Sequence, residues 1–136
     1  MINQQLFSPQ SIIVVGASND ITKPGGKLLK NLIDTKYAGK LMVINPSQDV
    51  VQGIQSYHSA MDIPGADLAI LAISAQLCPA VVQVLVEEKG VKAFIVISAG
   101  FSEEGSEGAE LERDLVNIVE RNDACLIGPN CIGVLT

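Results

Sequence analysis

Five short apolar runs punctuate the chain, at Ile12–Val15, Leu41–Ile44, Leu68–Ile73, Ala93–Ile97 and Ala124–Ile127. Each is too short for an ordinary helix and mostly lacks polar alternation, as expected of strands covered on both faces. Helical spacings lie between them. Leu28, Leu29, Leu32 and Ile33 line one side of a first helix, and Leu77, Val81, Val84 and Leu85 line a second, with Pro79 in its first turn. Leu111, Leu115, Ile118 and Val119 repeat at the i, i+4, i+7, i+8 spacing of a third, with Glu107 and Glu110 near its positive end. The segment from Asp49 to Pro64 is less regular: Val50–Tyr57 predicts a short edge strand and Ser59–Ile63 a single helical turn. Strands alternating with helices predict an α/β fold, a Rossmann-like, doubly wound, mostly parallel sheet of five or six strands with helices on both faces. No linker, low-complexity tract or strong internal repeat divides it, so residues 1–136 read as one domain.

Composition narrows the use of such a fold. Hydrophobic residues make up 48% and aromatics only 4%, which suits a buried parallel sheet and not a base-stacking platform. Fifteen acidic against nine basic residues leave a net charge of −6, a field that opposes nucleic acid and anionic membranes. Any anionic ligand must be held by local donors. No apolar run approaches the ~20 residues of a membrane span, and Met1–Gln10 has neither a basic nor a greasy segment, so no signal peptide is expected. Cys78, Cys125 and Cys131 are odd in number and form no CxxC pair, which predicts neither a disulfide scaffold nor a zinc site. A reducing cytoplasm is the expected location.

The first apolar run ends at a glycine, in Ser11-Ile-Ile-Val-Val-Gly16-Ala-Ser-Asn-Asp20-Ile-Thr-Lys-Pro24-Gly-Gly26. Gly16 allows a sharp turn off the strand. Gly25 and Gly26 are expected to leave main-chain N–H groups uncovered where the helix begins near Lys27, a place that favours phosphate. Ligands of doubly wound sheets collect at the carboxyl ends of the strands. Those ends read Gly16-Ala-Ser18, Asn45-Pro46, Ser74-Ala-Gln76, Ser98-Ala-Gly100-Phe101 and Gly128-Pro-Asn-Cys131, which are mostly small, polar or turn-forming residues. A nicotinamide dinucleotide is disfavoured: Ser18 and Ile21 replace the second and third glycines of G-x-G-x-x-G, and the second strand ends in Asn45 where a carboxylate should accept ribose hydroxyls. A Walker loop is excluded because Leu28 follows Gly26-Lys27.

Together, Gly16-Ala-Ser18, Asn45-Pro46, Ile97-Ser-Ala-Gly-Phe101 with Gly105, and Leu126-Ile-Gly-Pro-Asn-Cys-Ile-Gly133 resemble the CoA-binding domain of the NDP-forming acyl-CoA synthetases. That family includes ADP-forming acetate–CoA ligase and the alpha subunit of succinyl-CoA synthetase. The resemblance runs from about Phe7 to the last residue. It implies coenzyme A as the bound cofactor, held for acid–thiol ligase chemistry. Ser18, Asn19 and the loop Lys23, Pro24, Gly25 and Gly26 would hold its phosphates, after the turn at Gly16. Asn45 and Pro46 would lie beside adenosine, and Ile73 and Ser74 beside adenine or the pantetheine arm. Ser98, Ala99 and Gly100 would face that arm, and Asn130 and Cys131 the thiol. The chain departs from the family at Ser74, often proline there, and at Ser47 and Gln48, where a basic residue often follows Asn-Pro. Lys23, Lys27 and Lys30 are the candidate substitutes.

The resemblance further implies partner domains or subunits carrying a phosphohistidine and a nucleotide grasp. His58 does not match that phosphohistidine and reads as a surface residue; Cys131 reads as a small residue packed below the ligand. No catalytic or metal-ligating residue is assigned, and Glu103, Glu104, Glu107, Glu110 and Glu112 read as a solvated helix start. The chain alone is expected to hold CoA without turnover, as the N-terminal piece of a longer synthetase. A free-standing or regulatory CoA-binding module is the alternative, and an NAD(P)-dependent oxidoreductase fragment a more distant one.

Overall fold

A computed structural model describes residues 8–97 and 106–128 of the chain. Its strands are β1 (Ser11–Val15), β2 (Lys40–Ile44), β3 (Val50–Val51), β4 (Ile54–Tyr57), β5 (Leu68–Leu71), β6 (Ala93–Val96) and β7 (Cys125–Ile127). The helices are α1 (Pro24–Asp34), α2 (Cys78–Glu88) and α3 (Ser106–Arg121), with single 3₁₀ turns at Ala60–Asp62 and Ala75–Leu77. They build one seven-stranded sheet in the order β3-β4-β2-β1-β5-β6-β7, parallel except for the β3–β4 pair.

All five apolar runs are strands, and the doubly wound α/β class holds. The strand number exceeds the expected five or six because Val50–Tyr57 is a hairpin and not one edge strand. Gln52 and Gly53 both take positive φ, +49° and +85°, and so turn the chain between β3 and β4. Two consecutive left-handed residues make the turn whose twist matches a hairpin.

Central strands are buried on both faces, so alternate residues feed two cores. Ile12, Val14, Leu68 and Ile70 pack under Leu29 of α1, while Ile13, Val15, Ala69 and Leu71 pack with Leu85 of α2 and Leu115 of α3. Among the described residues, Phe94 of β6 is the largest fully buried side chain. Each helix is followed by a left-handed residue: Lys36, Gly90 and Asp123. After α1, the N–H groups of Lys36 and Tyr37 donate to the carbonyls of Ile33 and Leu32, which satisfies the last turn and releases the chain towards β2.

The face of α2 differs from the spacing read in the sequence. Cys78, Val82, Leu85 and Val86 are buried, and Leu77 is 57% exposed in the preceding 3₁₀ turn. The helix is apolar almost all round, so no single stripe in the sequence marks the sheet side. On α3 the read face holds: Leu115, Ile118 and Val119 are buried and Leu111 packs against them. No helix among the described residues is long and apolar enough to cross a membrane.

Candidate functional site

The carboxyl edge of the sheet is organised by the turn after β1. Gly16 has φ +88°, and its N–H donates to the Ile44 carbonyl at 3.1 Å. A Cβ there would strike the backbone of Ala72 just past β5. Only glycine serves both the turn and this approach.

The helix begins three residues earlier than the sequence suggested. Pro24 occupies its first turn, where the absent N–H costs nothing. Gly25 and Gly26 are therefore helical and buried, not loop residues. A side chain on Gly25 would run into the Gly16 carbonyl, and one on Gly26 into that of Asp20. The two glycines let α1 abut the strand turn. Lys23 at the N-cap offers no side-chain hydrogen bond to the first turn. The positive end of α1 is thus uncapped by side chains at the place where the sequence pointed to phosphate.

The loop before it is tightly knit. Ser18 Oγ accepts the Asp20 N–H at 3.0 Å, and Asp20 Oδ1 accepts both the hydroxyl and the N–H of Thr22, at 2.6 and 3.0 Å. The Thr22 hydroxyl foremost, then its N–H, hold the Asp20 carboxyl below its ordinary range, and the Lys23 charge adds to this. Asn19 is spent on the hairpin: its Nδ2 donates to the Val50 carbonyl at 3.1 Å and its Oδ1 accepts the Gln52 N–H at 2.7 Å. Of the three candidate lysines, Lys30 pairs with Asp34, while Lys23 and Lys27 stand exposed at the first turn of α1.

Asn45 is likewise occupied. Its Nδ2 donates to the Ala17 carbonyl at 2.9 Å, and its Oδ1 accepts from the Ser47 N–H and hydroxyl and the Gln48 N–H. This ties the end of β2 to the loop after β1 and leaves Pro46 facing a cavity of about 330 Å³. The lining is mostly apolar. Gly16, Pro46 and Ile73 come from the predicted site, and Val81 and Val84 of α2 form the far wall. Ser74 is exposed and opens the 3₁₀ turn, its carbonyl accepting the Leu77 N–H at 3.0 Å.

His58 and Met61 also line the cavity, which sequence reasoning missed because they approach it only through the fold. His58 is a surface residue, as read, yet one at the cavity, with Nε2 3.0 Å from Asp49 Oδ1. The only legible signal for the α2 wall was the excess of apolar residues on that helix. Gly128 takes φ +94° and would meet Val96 with any side chain, so the exits of β6 and β7 lie side by side. Ser98, Ala99, Gly100, Asn130 and Cys131 fall outside the described residues, as do Glu103 and Glu104. Cys78 and Cys125 are buried within the packed core.

A doubly wound sheet with a glycine turn, an uncapped helix start and an apolar cavity at one edge defines a nucleotide-cofactor binding domain. Residues 10–136 match the family described as CoA binding domain, and the chain belongs to that family. It is 39% identical over 135 residues to the ADP-forming acetate–CoA ligase II of Archaeoglobus fulgidus, covering 97% of this chain and 20% of that protein. It is 42% identical over 132 residues to the alpha subunit of the corresponding ligase II of Pyrococcus furiosus, covering 95% of this chain and 28% of the subunit. The apo form of the dinucleotide-forming acetyl-coenzyme A synthetase 1 of Ca. Korarchaeum cryptofilum superimposes with a TM-score of 0.84 at 35% identity, over 93% of this chain and 27% of that one. The chain thus spans less than a third of each of these proteins.

Proposed function

We propose that this chain binds and orients coenzyme A for an ADP-forming acyl-CoA synthetase, with the acid activated elsewhere in the assembly. The observation that carries this reading is the juxtaposition, at one sheet edge, of an uncapped helix start and an apolar cavity. CoA is an anion joined to a purine and to a long, weakly polar arm, and it needs both environments. Backbone N–H groups at Gly25 and Gly26, with Ser18, Lys23 and Lys27 around them, serve the diphosphate. Pro46 and Ile73 serve the adenosine end, which makes the cavity its pocket. The arm then runs along the exits of β5, β6 and β7, past Ser74 and Ser98-Ala-Gly100, towards Asn130 and Cys131.

In the proposed reaction the CoA sulfur forms a bond to the carbonyl carbon of an acyl phosphate, and the carbon–oxygen bond to phosphate breaks. The phosphate leaves as inorganic phosphate and takes up the thiol proton. The other domains or subunits supply the acyl phosphate by relaying a phosphoryl group from ATP to the acid, which leaves ADP. No residue named here takes part in bond making. This chain's contribution is to remove the translational and rotational freedom of the thiol. Calorimetric titration is the test: CoA binds saturably, and dephospho-CoA and free adenine nucleotides bind more weakly. NADH binding more tightly than CoA would overturn the reading.

A further inference from the structure

We infer that Gln52, in the β3–β4 turn, is a positioning residue for the anion-binding loop. Its Nε2 donates to the carbonyls of Ser18, at 2.8 Å, and Gly26, at 2.9 Å, and its N–H donates to Asn19 Oδ1 at 2.7 Å. Asn19 returns a bond to the Val50 carbonyl at 3.1 Å. Four hydrogen bonds therefore join the hairpin to a loop 26 to 34 residues away in sequence. The left-handed backbone at Gln52 sets the side chain beneath that loop, half-buried.

The consequence is electrostatic. An anion arriving at the start of α1 meets the donors and acceptors of the loop before it, so where that loop is held against the helix sets how well the anion is bound. One carboxamide NH₂ group bonds the Ser18 carbonyl in the loop and the Gly26 carbonyl in the first turn of α1, and so fixes the loop against the helix start that carries the amide donors. A carboxylate of nearly the same size has only acceptors to offer. Gln52→Glu therefore opposes both carbonyls and adds a negative charge beside the anion. Gln52→Gly removes the side chain while keeping a residue that accepts the left-handed turn.

This role rests on the CoA reading above, and the experiment separates the two. Amide hydrogen exchange is measured on the free protein and on both variants, followed by CoA titration monitored through backbone amide shifts. In both variants exchange rises across residues 18–26 while β5 and β6 stay protected. CoA affinity falls about tenfold or more in Gln52→Glu, the size expected for two lost hydrogen bonds. The shifts that CoA induces at Gly25 and Gly26 shrink, whereas those at Ile73 and Val81 persist at saturation; a residue with only a structural role would reduce both sets alike. Unchanged exchange in residues 18–26, or a Gln52→Glu affinity within about twofold of the parent, overturns the inference. A parent protein that binds no CoA, in company with a loosened loop in the variants, overturns the CoA reading and leaves standing that Gln52 holds the loop in place.

Discussion

Gly25 shows how closely packing and chemistry share atoms in this molecule. Its missing side chain lets the start of α1 rest on the Gly16 carbonyl. Gly25→Ala drives a methyl into backbone that cannot rotate away, and overpacking of this kind costs about 1–3 kcal/mol. Urea unfolding should show a stability lower by that amount, and an unchanged stability would mean that α1 can slide outward. Asp20 gives a second test at single-residue level. Its carboxyl is held low first by the Thr22 hydroxyl and then by the Thr22 N–H. A depressed carboxyl stabilises the fold above the ordinary carboxylate range and loses that contribution as pH falls through the lowered value. The turn is therefore intact at neutral pH and weakens only in acid. Thr22→Val removes the hydroxyl and keeps the N–H, so an NMR titration should find Asp20 partway back towards its ordinary value. No movement would place the cause elsewhere.

Among the elements, α2 separates what periodicity reveals from what it hides. Leu85 was read on the inner face and is fully buried; Leu77 was read there too and is 57% exposed. Leu85→Ala should cost about 2–5 kcal/mol, whereas Leu77→Ala should stay within about 0.5 kcal/mol, both by denaturant unfolding. Equal losses would mean that the helix is rotated about its axis. The spacing was ambiguous for a physical reason: α2 needs one apolar side for the sheet and another for the cavity, and a helix with two greasy sides has no single stripe. The strands were plainer, because a double-sided sheet demands continuous Val, Ile and Leu, as in Ile12–Val15. The β3–β4 hairpin was hidden because Gln52 is not a residue that announces a left-handed turn, and only Gly53 hinted at one. The early start of α1 was hidden too, since two glycines after a proline read as loop until their packing is known.

For the molecule as a whole, the residues at the strand ends could be read in order, since a doubly wound sheet brings every such end to one edge. Gly16 and Pro46 are found that way, Ile73 is named only by the family resemblance, and all three meet at the cavity. The walls contributed by His58, Met61, Val81 and Val84 could not be, because they depend on how the segment after β4 and helix α2 fold over that edge. The same architecture commonly holds nicotinamide dinucleotides, and here Asn45 opposes it. Its carboxamide oxygen already accepts from three donors and its NH₂ group is given to Ala17, so no acceptor remains for a ribose diol. NADH at concentrations that saturate with CoA should therefore show no saturable fluorescence change. A saturable one would require Asn45 to release its neighbours.

The hairpin that widens the sheet also finishes it. β3 is two residues long and runs against its neighbour, whereas the interior strands run together. A foreign segment seeking to extend the ladder there would find a stub bent into its own return strand, with scarcely any register to lock onto. Natural sheets resist edge-to-edge aggregation by such shortness. A newly synthesised copy thus has one flank that its siblings cannot easily zip against, a safeguard gained from the same few residues that brace the loop below.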